Sequence, residues 1–130
     1  MPSGQQLLNG GVKHDTSKRR MDLIPASLLN GLAEVLAYGA KKYGDNNWRK
    51  GLAWSRVYAA LQRHLIDFWS GENLDSESSL PHLYHAACNL AFLIEYFNAN
   101  FGTDDRHMES VNPRCRLEVP GCRGCDEEGP

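Results

Sequence analysis

No apolar run in this chain of 130 residues approaches the roughly 18–20 needed to cross a bilayer, and its first residues hold no apolar stretch of the secretory kind. A soluble cytoplasmic protein is the expectation. Neither sign of charge dominates, with 14 basic against 16 acidic residues, so no nucleic-acid or membrane partner is expected. Cysteine is too sparse and too unevenly placed for a disulfide framework: Cys88 falls in a helical pattern, and Cys115, Cys122 and Cys125 crowd into the tail. Catalytic motifs are also missing. There is no Gly-x-Ser-x-Gly elbow and no P-loop, and the only His-Asp dipeptide, His14-Asp15, lies in the N-terminal segment. Triad acyl transfer, Walker-type NTP hydrolysis and His-Asp metal phosphohydrolysis are thereby disfavoured.

What is present suits one small domain, because 42% hydrophobic residues can fill a single core at this length. Periodicity predicts an all-α, antiparallel bundle with helices over about 25–43, 55–70 and 80–101. A basic arm (1–24) precedes it and a Gly- and Pro-containing tail (102–130) follows. Leu28, Leu32, Val35, Leu36 and Tyr43 form the expected buried stripe of the first helix; Val57, Leu61, Leu65 and Phe68 form that of the second. The third helix has no Asp, Glu, Lys or Arg from Leu80 to Ile94. Three helices cannot enclose one of their own on every side, so a homodimer or homotetramer is expected to complete its burial.

The chemistry concentrates between Arg63 and Asn89. His64/Asp67 and His82/His85 are pairs at helical spacing, joined by a loop carrying Glu72, Asp75 and Glu77. Antiparallel helices would point these groups at one cleft, where clustered carboxylates can hold divalent ions. Glu34 is an isolated carboxylate among apolar neighbours, and it needs a cation or donor if buried. The turn at 44–51 carries Trp48 among Asp45 and Asn47, a combination that can hold a base or simply tuck an aromatic onto the core. In the arm, Lys13, Lys18, Arg19 and Arg20 could close over a polyphosphate or remain solvated. In the tail, His107, Cys115, Cys122 and Cys125 are ligand types of a structural zinc site, set against reduced cysteines in a mobile segment.

The blocks Lys13–Arg20, Glu34 with Tyr38–Trp48, Arg63–Leu65, Gly71-Glu72 and Leu80–Ala86 closely resemble the phage dATP/dGTP diphosphohydrolase-type proteins, the MazZ-like branch of the MazG-like all-α nucleotide pyrophosphatases. The resemblance covers roughly residues 13 to 97. It implies an oligomeric enzyme, in the host cytoplasm if phage-encoded, that uses Mg or Mn to split a purine (deoxy)nucleoside triphosphate into monophosphate and pyrophosphate. The wider pattern of Glu-Glu-x-x-Glu and Glu-x-x-Asp would fall by register on Arg63–Asp67 and His82–His85, where this chain has imidazoles instead. The ligand roles are therefore expected of Glu34, Asp67, Glu72, Asp75 and His82, with Glu34, His64, Asp67 and His85 as catalytic groups. Lys13, Lys18, Arg20, Lys41, Lys42 and Arg63 would bind phosphates. Asp45, Asn47, Trp48 and Asn89 would read base and sugar, with a carboxylate favouring guanine. Two alternatives stand beside this reading: a non-catalytic nucleotide- or zinc-binding helical oligomer, and a dUTP- or dCTP-directed pyrophosphatase of the same superfamily.

Overall fold

A computed structural model describes residues 10–107. It is helical: α1 spans Ala26–Tyr43, α2 Trp54–Trp69 and α3 His82–Ala99, with short 3-10 turns at Met21–Leu23 and Asn47–Lys50. Among the described residues there is no β-strand, only isolated bridges pairing Ala53 with Thr103 and Leu74 with Pro81. No described helix is long and apolar enough to cross a membrane.

Local sequence explains the boundaries. Pro25 and Pro81 occupy the N-cap positions of α1 and α3, where a missing N–H costs nothing. Gly44 ends α1 at φ 91° with its N–H bonded to Ala40 O, a conformation that favours glycine. The N-cap of α2 is Ala53. Ser55 lies inside the first turn, where both its N–H and its hydroxyl donate to Asp105. A carboxylate from beyond α3 thus satisfies the open end of α2.

α3 is central and packs on both α1 and α2. The approach of α1 is close at Gly31, where an added Cβ would lie 2.7 Å from Tyr84 Cδ1. Among the described residues the buried set is small: Gly31, Val35, Val57, Ala86, Cys88 and Tyr96, together with His82 and His85. The expected stripe of α1 is buried only in part, since Leu28, Leu36 and Tyr43 are 43%, 40% and 61% exposed. The cause is geometric, because α1 packs chiefly on α3 alone, whereas α3 packs on two helices. Leu83, Leu90, Ile94 and Phe97 of α3 also face outward.

Candidate active site

Because α2 and α3 run antiparallel, the second half of α2 meets the first turns of α3. His64 and His82 face each other with Nδ1 atoms 2.9 Å apart. The His85 ring stacks on His64 at 4.5 Å between centroids, 7° from parallel. The α2–α3 connection folds beneath them. Asp75 Oδ2 accepts from both the backbone N–H and the hydroxyl of Ser78, each at 2.8 Å. Having given its one proton to Asp75, the Ser78 oxygen accepts from His85 Nε2–H at 2.7 Å. This chain leaves the His85 lone pair on Nδ1.

Burial pushes the pKa of His64 down, and the neighbouring His85 adds to the effect. Burial lowers His85 as well, against the opposing pull of Asp75. For Asp75 burial works upward, but the two hydrogen bonds from Ser78 outweigh it and hold the carboxyl below its ordinary range. Near neutral pH His64 and His85 are therefore neutral imidazoles beside the ionised Asp75 carboxylate. Cys88 is not a nucleophile candidate, since burial raises its thiol to about 11.

Two groups of side chains can hold a metal ion, His64–Asp75–His82 and Asp67–Glu72–His82, with ligand atoms within 4.8 Å of one another in each. His82 is common to both and only 2% exposed. Its Nε2 is buried with no hydrogen-bond partner among the described residues, and Glu72 Oε2 lies 3.6 Å away. The donor chemistry fits a divalent cation on the cleft side. Two imidazole nitrogens and a carboxylate converge there, and a His82 that ligates through Nδ1 carries its proton on Nε2, facing Glu72.

A cleft of about 1000 Å³ lies between α1, the Asn47–Lys50 turn and the α2–α3 pair. His64, Asp75 and His85 line it, as do the expected Asp45, Asn47, Trp48, Lys42, Arg63 and Asn89. Glu34 is exposed and does not line the cleft or enter either ligand group. Lys13, Lys18, Arg20 and Lys41 are likewise absent from the cleft wall, and Arg20 forks onto Asp22 at 2.7 and 2.9 Å. Trp48 is in the wall but committed to packing: it stacks on Phe92 at 4.7 Å, with the Arg49 guanidinium over its ring. Asn89 donates to His85 O, which leaves its carbonyl oxygen uncommitted. His107 ends the described segment, and Cys115, Cys122 and Cys125 lie outside the described residues.

Three groups at or beside the cleft went unassigned in the sequence, and of these only Arg49 and Arg56 belong to its wall. Ser78 orders both Asp75 and His85, and its signal was the Asp75-x-x-Ser78 spacing of an Asx-type turn. Arg56 had the offset of seven from Arg63 that places both on one helical face.

Comparison with known proteins gives the chain a family. A family model described as "dATP/dGTP diphosphohydrolase, N-terminal" matches residues 9–106. The dATP/dGTP diphosphohydrolase of Salmonella phage PMBT28 is 35% identical over 106 residues, 82% of this chain and 36% of the phage protein. The chain thus spans little more than a third of that relative's length. No solved structure matches. The match takes in all three helices and every cleft residue named above, and the chain belongs to the family of dATP/dGTP diphosphohydrolase N-terminal regions.

Proposed function

We propose that the chain is a metal-dependent nucleoside triphosphate pyrophosphohydrolase of MazG-like type, acting on a purine (deoxy)nucleoside triphosphate, with dGTP or GTP favoured. The observation that carries this is the cleft itself, which sets an imidazole–carboxylate cluster beside cationic side chains in a space of nucleotide size. The catalytic unit would be residues 25–101, flanked by the arm and the tail. Exposed leucines and aromatics on α1 and α3 support a homodimer or homotetramer.

His64, Asp75 and His82 are the residues that would hold Mg or Mn, and imidazole ligands tilt the choice toward Mn. When bound, the ion supplies Lewis-acid polarisation of a phosphoryl oxygen. The remaining work belongs to the side chains. Lys42 and Arg63 neutralise phosphate charge, and Lys42 first has to exchange its present partner, Glu77. Water adds to the α-phosphorus as the bond to the α–β bridging oxygen breaks, releasing pyrophosphate. The proton of that water goes to His85 Nδ1, which the Ser78–Asp75 chain keeps free.

Product analysis tests this. Purified protein is incubated with ribo- and deoxynucleoside triphosphates, with Mg, Mn or chelator. The expected result is metal-dependent monophosphate plus pyrophosphate, abolished by Asp75→Asn and His82→Gln. Nucleoside plus triphosphate, or no product from any nucleotide, would refute the reading.

A further inference from the structure

We propose that Arg49, Arg56 and Arg63 form a polyphosphate subsite along one wall of the cleft, so that a triphosphate extends from the His64–Asp75 end toward the Trp48 turn. The inference rests on the reading of the substrate as a nucleoside triphosphate and adds the direction in which it lies.

The geometry of α2 sets the scale. Arg63 is adjacent in sequence to His64, and Arg56 lies seven residues earlier, about 10 Å along the axis and on the same face. That separation suits an extended phosphate chain held at both ends. All three arginines line the cleft. Among the described residues, Arg56 and Arg63 make no salt bridge or side-chain hydrogen bond. The carboxylates along the cleft are otherwise engaged: Glu77 holds Lys42, and Asp75 accepts from Ser78. Asp45 remains as the nearby acid of the turn, too little to neutralise three guanidinium groups.

Arg49 is already placed for the role. Its guanidinium lies 4.4 Å from the Trp48 ring centroid and its Nε donates to Asn46 Oδ1 at 3.4 Å. Stacking and this long bond restrain the side chain while its terminal N–H groups stay available, which reduces the ordering cost of binding an anion. The same stacking argues against a base at this end. Phe92 and Arg49 both pack on Trp48, so the turn offers cations rather than a bare aromatic face. Asn46, at φ 57°, holds the turn in the left-handed conformation that brings Arg49 round.

The test compares wild type, Arg56→Ala and Arg49→Ala/Arg56→Ala by calorimetry with inorganic tripolyphosphate and with a deoxynucleoside monophosphate, followed by KM and kcat on the triphosphate. Both arginines are exposed, and helical circular dichroism verifies folding. Loss of Arg56 should weaken tripolyphosphate binding about 10- to 100-fold and raise KM similarly, with monophosphate binding unchanged. Unchanged tripolyphosphate binding in the double variant overturns the subsite, as does an equal loss for monophosphate. Wild type that binds tripolyphosphate but turns over no nucleotide supports the subsite and sinks the pyrophosphohydrolase reading instead.

Discussion

The two ends of α3 are packed by opposite means. At its C-terminal end Trp48, Phe92, Tyr96 and Phe101 stack on one another, and the polar atoms among them are satisfied: Tyr96 OH donates to Trp48 O at 2.6 Å and Trp54 Nε1 to Phe101 O at 3.0 Å. At its N-terminal end three imidazoles crowd together with carboxylates, and His82 Nε2 is left without a hydrogen-bond partner among the described residues. An unsatisfied buried nitrogen is a cost that the aromatic end avoids. The contrast assigns stability to one end and ligand chemistry to the other, and substitutions can separate the two.

The largest effect is expected at the aromatic end. Trp48→Ala should destabilise the domain by about 3–5 kcal/mol in denaturant unfolding, because it opens a cavity against Phe92 and Tyr96. If Trp48 instead serves a base, its loss would raise KM while leaving the unfolding midpoint in place. At the polar end the expected pattern is reversed. Glu72→Gln should leave the metal-free melting temperature nearly unchanged but weaken Mn binding about 10- to 100-fold, since a carboxylate facing His82 Nε2 orients a ligand rather than filling a core. A fall in melting temperature with metal affinity intact would dissolve the distinction between the ends.

A smaller effect tests how completely the aromatic end is satisfied. Tyr96→Phe removes the hydroxyl that meets Trp48 O and should cost about 1 kcal/mol, with turnover unchanged. No loss would mean that water serves that carbonyl equally well.

The polar end was the more legible of the two. His64, Asp75, His82 and His85 stand at helical and loop spacings that bring them together once two helices run antiparallel, and the helix bounds follow from Pro25, Gly44 and Pro81. Glu34 was harder to place. An isolated acid among apolar residues resembles a buried functional group, but α1 packs chiefly on α3 and turns that residue to solvent. Trp48 was ambiguous for another reason: its partners Phe92, Tyr96 and Phe101 are more than 40 residues away in sequence, and no periodicity records a long-range stack. The arm cations illustrate composition without position, because Arg20 is satisfied two residues away by Asp22.

The smallest effect concerns pH in the metal-free protein, where the two ends again differ. His64 and His85 both have pKa values lowered by burial, so the unfolded chain, with histidines near 6.5, binds protons more readily than the folded one. Their contribution is complete above about pH 6.5 and is lost as the pH falls through the depressed folded values. Each contributes a slope of less than about 1.4 kcal/mol per pH unit, and the share of half-buried His64 is reduced by solvent screening. Asp75, also lowered, acts in a separate and more acidic window. The aromatic end adds nothing in this range, since burial moves the Tyr96 hydroxyl further above 10. Melting temperature should therefore be flat from pH 8 to about 6.5 and decline toward pH 5, with His85→Asn reducing the decline. A flat profile down to pH 5 would refute the lowered imidazole values, and an equal decline in a His64→Asn/His85→Asn variant would place the sensitivity outside the imidazole cluster.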